Sequence, residues 1–406
     1  MEKSILKTKY DLKELELNSL LEITQAINNN LPEESLYKIY HFTLRANLNI
    51  KKLALYVLDE SWNCKVNFGS EKDFFFIPLE EQFLNCNQVM LIDKNQNSAF
   101  SEFDKMLPVL HKDKLLAFVF VGGYVQHGEE KEVEANTTLL QVLSNIIIVA
   151  VENKKLARRQ LRQEALRKEL EIAKNVQQLL FPKELPYNDH IQLKATYIPH
   201  FAIGGDYYDY IKLTDDLFLI CIADVSGKGV PAAILMSNFQ ASLHTLIRKT
   251  RDLEEIIREL NYLIMRNGSG ENYITFFVAI YNKISRSMHY VNAGHNPPIL
   301  IHENGWELLH KGTTVLGAFN ELPFLEVGLI NSLNSFFFFG YTDGLTELFN
   351  EFEEEYGSDR LELFIKENYH YDLGELHHQL IRELNIFKGA KKYHDDITFL
   401  SCRFKN

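Results

Sequence analysis

Two stretches of this chain are apolar with no alternation: Leu217–Ala223 (LFLICIA) and Phe336–Phe339 (FFFF). A strand with one wet face alternates polar and apolar residues, so these two need cover on both faces. Further strand patterns fall at Ile191–Ile198, Tyr207–Leu213, Tyr273–Tyr281, Met288–Asn292, Pro298–His302, Trp306–His310 and Ile397–Phe404. Helical patterns at Pro231–Arg248, Leu253–Arg266, Gly344–Glu351 and Leu373–Leu384 supply the cover. The expected fold of residues 183–406 is a layered sandwich of sheets under helices. Asn304-Gly305 predicts a two-residue hairpin between two of the strands.

Residues 1–150 read differently. Leu17, Leu20, Leu21, Ile23, Ala26 and Ile27 have helical spacing, and helical periodicity returns from Thr137 through Leu143, Ile146 and Val149. Strands are expected at Lys52–Leu58, Asp73–Ile77, Gln88–Ile92 and Leu115–Val121, giving a compact α+β domain. In pattern and placement it resembles a GAF sensor domain, which implies a ligand or partner of unknown identity.

Residues 151–182 form the third piece. VENKKLARRQLRQEALRKELEIAKNVQQLLF has no Gly or Pro and is rich in strong helix formers. Leu156, Leu161, Leu166, Leu170, Ala173, Val176 and Leu180 recur at spacings of 3 to 5. A helix from Thr137 to Phe181 would run about 45 residues, roughly 67 Å. That length without partners suggests a parallel coiled-coil homodimer, the alternative being a solvated connector. Pro182 and Pro186 end it.

Composition narrows the function classes. The chain has 406 residues, 43 basic and 55 acidic, for a net charge of −12, which argues against an extended nucleic-acid surface. Its 4 cysteines, Cys64, Cys86, Cys221 and Cys402, form no C-x-x-C pair, so neither a zinc site nor a disulfide framework is expected. No apolar run approaches the roughly 18 to 20 residues of a membrane span, and the amphipathic start MEKSILKTKYDLKEL lacks a long apolar core. A cytoplasmic location is the expectation, with no membrane partner.

The chemistry concentrates on carboxylates at strand ends: Asp206 in GGDYYDY, Asp224 in IADVSGKG, Asp343 in YTDG, and Asp395 and Asp396 in HDDITF. If Thr214–Asp216 is a hairpin loop and Leu213 pairs with Leu217, Asp206 falls opposite Asp224 on one side of the sheet. Opposed like charges repel, and a cation resolves the conflict. Hard dications such as Mg²⁺ and Mn²⁺ take oxygen ligands of this kind. Each Asp alone reads as readily as a turn residue; the ordered set points to a metal centre.

ADVSGKGVPAA invites a phosphate-loop reading, but Lys228 precedes Gly229 with no Ser or Thr after it, so Walker A fails, and Ala232 breaks G-x-G-x-x-G. Gly227 and Gly229 instead suit a sharp turn after Asp224 that turns a main-chain carbonyl toward the metal, with Pro231 in the next helix's first turn.

The ordered motifs GGDYYDY, ADVSGKGVPAA, NAGHNPP, YTDGLTE and DDITF resemble the SpoIIE-type branch of the PPM (protein phosphatase 2C) family, as does ELEIAKNVQQLLFPKELP before them. The resemblance covers about residues 168–406. It implies an αββα sandwich of two antiparallel sheets flanked by helices. It also implies hydrolysis of phosphoserine or phosphothreonine with two Mn²⁺ or Mg²⁺ ions. The implied substrate is a phosphorylated regulatory protein, typically an anti-sigma-factor antagonist of STAS type. By matching position, Asp224 would bridge the ions, the Val225 carbonyl would ligate one, Asp343 and Asp395 would complete the other, and Asp206 would ligate directly or through water. Asp396 ranks below Asp395. His295 in AGHNPP reads either as a general acid or as a turn-shaping residue, and Lys228 either as a phosphate contact or as a solvent-facing loop lysine. The competing function class is a non-catalytic interaction module that keeps the fold.

Overall fold

The computed structural model describes residues 2–47, 50–84, 86–95, 98–112, 114–123, 130–267 and 272–405. The chain divides into two compact units, residues 1–164 and 165–406.

In the first unit, helices α1 (Glu2–Asn28) and α2 (Glu33–Asn47) precede strands β1 (Lys52–Leu58), β2 (Trp62–Phe68), β3 (Met90–Leu91), β4 (Lys105–His111) and β5 (Lys114–Gly122), followed by helix α3 (Glu130–Gln178). The strands form one antiparallel sheet in the order β2-β1-β5-β4-β3. One face packs against the helices through Ile23, Leu36, Tyr40, Leu140, Leu143 and Ile147. The other face is filled with rings: Phe74, Phe83, Phe100, Phe103, Phe118, Phe120 and Tyr56. The strand expected at Asp73–Ile77 is a 3₁₀ turn over Phe74–Phe76, because the Asp73 carboxylate accepts from the Phe75 N–H and folds Phe74 into the ring cluster. The strand expected at Gln88–Ile92 shrinks to β3. β2 has a mixed polarity that gives no clean period, and in β4 Pro108 interrupts an apolar run that otherwise reads as a strand.

Helix α3 starts before the expected Thr137 and continues to Gln178. Its N-terminal part is core, not linker: Leu139, Leu143, Ile148 and Val151 pack on the sheet. The unit boundary therefore falls within the helix, after Glu164, where the sequence reading set divisions at 150 and 182. Beyond it Leu166, Ile172 and Val176 are exposed.

The second unit runs β6 (Ile191–Ile198), β7 (Tyr207–Lys212), β8 (Leu217–Val225), α4 (Val230–Lys249), α5 (Leu253–Asn267), β9 (Ile274–Asn282), β10 (Ser287–Ala293), β11 (Ile299–His302), β12 (Gly305–Leu308), β13 (Gly312–Thr313), β14 (Gly328–Ile330), β15 (Phe336–Tyr341), α6 (Asp343–Thr346), α7 (Ser358–Asn368), α8 (Leu373–Lys388) and β16 (Ile397–Phe404). One sheet is ordered β13-β10-β9-β8-β7 with β14 beside β10, and the other β12-β11-β15-β16-β6. Every pairing except β10–β13 is antiparallel.

The two sheets face each other through Phe218, Ile220, Ile222, Phe277, Phe338 and Phe404. Helices α4 and α5 cover the outer face of the first sheet through Met236, Phe239, Leu243, Ile256 and Leu260. Helices α7 and α8 cover the second through Leu361, Ile365, Leu376 and Leu380. Two-sided burial of LFLICIA and FFFF is thus satisfied by four layers. The Asn304-Gly305 turn is displaced by one residue: His302 pairs with Gly305, so Glu303-Asn304 form the turn and Gly305 takes the positive φ of 129°. The helix expected over Gly344–Glu351 is the single turn α6. Among the described residues no helix is long and apolar enough to cross a membrane.

Phe338 is fully buried between the sheets. Phe338→Ala is expected to lower the unfolding free energy by about 3–5 kcal/mol, read from urea unfolding of the full chain.

Candidate metal centre

The β7–β8 hairpin has the register expected from its loop: Tyr207 opposes Ala223 and Lys212 opposes Phe218. Continued by one residue, it sets Asp206, just before β7, opposite Asp224 in β8. Asp224 in turn pairs with Thr275 of β9. Asp343 opens α6 directly after β15, and Asp395-Asp396 lead into β16. The neighbouring ends of both sheets therefore bring the four acidic motifs together.

Burial and mutual repulsion dominate this cluster. Asp206 is 1% exposed. Its carboxyl is pushed well above the usual range, first by burial and then by Asp224 and Asp396. Asp224 rises to about 7, first by burial and then by the charge of Asp343, while a hydrogen bond with Asp206 pulls it down. Asp343 is raised by burial and then by Asp395. Two carboxyl groups that hydrogen-bond each other share a proton, and a dication can replace it.

Side chains not singled out in the sequence position these acids. Thr342 and Thr398 donate to Asp206 Oδ2 at 2.9 and 2.5 Å, and Thr342 accepts from the Thr398 N–H at 2.9 Å. Asp396 is taken up by the backbone: the N–H groups of His200 and Gly205 donate to its two oxygens at 2.7 and 2.8 Å. A Cβ on Gly204 would lie 2.0 Å from Asp396 Oδ2, so only glycine lets this loop close on the acid. Gln177, near the end of α3, donates to the Gly204 carbonyl at 2.7 Å. Ser226 holds the next loop, accepting from the Tyr273 N–H at 2.9 Å. The signal for Thr342 and Thr398 was present: each sits beside a motif aspartate and is apposed across the β15–β16 strand ends.

Gly227 and Gly229 adopt φ of 90° and 70°, turning the chain after Val225 into α4. Lys228 between them donates to Asp395 Oδ2 at 2.6 Å and to the His394 carbonyl at 2.7 Å. It is an exposed loop lysine that also pairs with an acid of the centre. His295 is buried; its Nδ1 shares a 2.8 Å hydrogen bond with Thr275, and its N–H donates to Asn292 Oδ1 at 2.8 Å. Burial holds its ring at about 3. These two bonds tie the residue to β9 and β10, and its Nε2 is buried without a hydrogen-bond partner.

Among the described residues no three His, Cys, Asp or Glu side chains form a closed ligand cluster. The donor set nevertheless suits hard dications: carboxylate oxygens raised by their own repulsion, with a lysine already serving as counter-charge at Asp395.

The family description "Stage II sporulation protein E (SpoIIE)" matches residues 214–405. Over 135 residues the chain is 34% identical to phosphoserine phosphatase RsbU of Bacillus subtilis, covering 33% of this chain and 40% of that protein. It is 28% identical over 189 residues to phosphoserine phosphatase RsbP of the same organism, covering 45% and 46%. The chain thus spans less than half the length of these curated relatives. Among solved structures, the PP2C domain of SiaA from Pseudomonas aeruginosa superposes with a TM-score of 0.54 at 21% identity, covering 60% of this chain and 99% of that one. The fold is shared.

Because Asp224 has a raised pKa in the folded state, its protonated form is stabilising below the unfolded value near 3.8, and that stabilisation is lost as pH climbs through about 7. Metal-free protein should therefore lose thermal stability between about pH 4 and 7. Asp224→Asn should flatten this fall, as followed by differential scanning fluorimetry in chelator.

Proposed function

We propose that this chain, whose residues 214–405 match the SpoIIE family description, is a metal-dependent protein phosphatase of the PPM type acting on phosphoserine or phosphothreonine of a regulatory protein. The observation that carries the reading is the convergence of Asp206, Asp224, Asp343 and Asp395, whose buried charges repel one another. The names of the relatives, phosphoserine phosphatases both, support it.

Asp206, Asp224, the Val225 carbonyl, Asp343 and Asp395 would hold two Mn²⁺ or Mg²⁺ ions. Such ions, when bound, activate water for attack on phosphorus and neutralise phosphoryl charge. The chain's own residues do the rest. Thr342 and Thr398 aim Asp206. Asp396 clamps the 200–205 loop. Lys228, displaced from Asp395 when a stronger cation arrives, is the ammonium proposed to meet the substrate phosphoryl group. The thiol of Cys221 is buried and its pKa driven well up, so it is no nucleophile. The substrate class proposed, on the family resemblance, is a phosphorylated anti-sigma-factor antagonist of STAS type.

The first unit is proposed to be a GAF-like sensor controlling this centre. Support comes from α3: its N-terminal part is core of the first unit, and its Gln177 grips Gly204, two residues from Asp206. A rotation or shift of the helix is transmitted to the Asp206 loop through that bond. The exposed Leu161, Leu166, Ile172 and Val176 along α3 support a homodimer with a second copy through this helix.

Three measurements test the reading. Asp224→Asn or Asp343→Asn should fold but lose Mn²⁺-dependent hydrolysis of a phosphoserine substrate by at least about 100-fold, since a ligand rather than an outer partner is lost; full activity in either variant removes that residue from the centre. Lys228→Gln should bind Mn²⁺ about two- to fivefold more tightly by calorimetry, the worth of a half-exposed ion pair, while raising KM for phosphoprotein. Light scattering should give a dimer that Leu161→Asp with Leu166→Asp converts to monomer; a wild-type monomer at concentrations of normal activity excludes the dimer.

A further inference from the structure

In the first unit a cleft of about 860 Å³ opens between α2, the edge strand β2 and α3. Five buried side-chain polar atoms among the described residues lack a geometric hydrogen-bond partner, and three of them belong to residues around this cleft: Tyr37 Oη, His41 Nε2 and Asn67 Oδ1. Leaving such atoms unpaired is costly, and native structures keep few of them. Three in one cleft mark groups held for something else.

Each group is held in place. The His41 ring is sandwiched between Phe42 and Phe68, with centroids at 5.2 and 4.6 Å, so only its edge nitrogen is offered. Burial lowers its pKa, which keeps the ring neutral. Asn67 donates its Nδ2 to the Lys72 carbonyl at 3.3 Å, which fixes the amide and leaves its oxygen as acceptor. Tyr37 is 7% exposed. Burial and then the charge of Glu33 raise its pKa, and Glu33 is itself drawn to Lys155 at 3.3 Å. At the rim stand Lys38 and Arg158, which form no ion pair among the described residues, and the half-exposed ring of Phe75. The opposite face of the sheet is packed with phenylalanines.

We infer that this cleft binds a small organic anion carrying N–H or O–H donors. A ligand donor meets Asn67 Oδ1, which can only accept. Tyr37 and His41 take the ligand's neighbouring polar atoms, and its charged group lies between Lys38 and Arg158. Because Arg158 belongs to α3 and Tyr37 to α2, an occupant ties the two helices together. This gives the sensor reading a site and a ligand class. It is tested by binding alone, so its failure and that of the phosphatase reading are separable.

The experiment uses the full chain, with AMP, glucose 6-phosphate and L-glutamate as probes and inorganic phosphate as the plain anion, read by calorimetry and thermal shift. At least one organic probe should bind, and more tightly than inorganic phosphate. The AMP and glucose 6-phosphate arms against the glutamate arm distinguish a phosphoryl from a carboxylate ligand. Tyr37→Phe and His41→Phe should each weaken binding at least tenfold. They should also raise the melting temperature of the ligand-free protein by about 1–3 °C, because an unpaired polar atom is removed; a merely structural role would lower it. Arg158→Gln should weaken the same probe without changing the melting temperature. The inference is overturned if no organic probe binds, if inorganic phosphate binds as well as the organic anions, if binding survives Tyr37→Phe, or if both ring variants melt earlier.

Discussion

Mutual repulsion among buried carboxylates is the constraint around which the second unit is arranged. Asp206 is buried and Asp224 and Asp343 are partly so, which raises all three carboxyls, and a fold does not tolerate that without compensation. The compensation visible in the chain itself is local: threonine hydroxyls at Asp206, backbone amides at Asp396 and the Lys228 ammonium at Asp395. Each neutralises part of the charge, and none closes the centre. The sandwich of two sheets is the scaffold that makes such an arrangement affordable, because rigid strand ends fix the acids while helices on both outer faces seal the layers.

The same scaffold explains why the loops are glycine-rich where they are. The 200–205 loop approaches Asp396 so closely that a side chain at 204 has no room, and the 226–229 loop must reverse immediately after Val225. Both loops flank Asp224. α3 adds a third constraint, since Gln177 fastens the first of these loops from outside the sandwich. The same helix is core of the first unit at its other end.

Much of this was legible in the sequence because it rests on short-range rules. The unalternating LFLICIA and FFFF demanded two covered faces, and the 214–216 loop set a register that carried Asp206 opposite Asp224. What escaped was decided by tertiary context. Phe74–Phe76 looked like a strand because aromatic runs favour extended chain, yet an Asp73 cap and a ring cluster made it a 3₁₀ turn. The pairing of Lys228 with Asp395 was not legible, because nothing local reveals that Asp395, far along the chain, comes to meet it. Nor was the burial of His295, since residue type says nothing of burial. The cleft at Tyr37, His41 and Asn67 had no linear signature at all, since its members come from a helix and an edge strand with no shared motif.

β16 is the last strand of its sheet in sequence, yet it lies inside that sheet, between β15 and β6. Its approach supplies Asp395 and Asp396, and its Thr398 orients Asp206. On the ribosome, then, a nascent chain can complete the first sheet while its acidic loops still hang unclamped. Until residues 395–398 have been made, Asp206 lacks its Thr398 donor and the 200–205 loop lacks the Asp396 carboxylate that receives its amides.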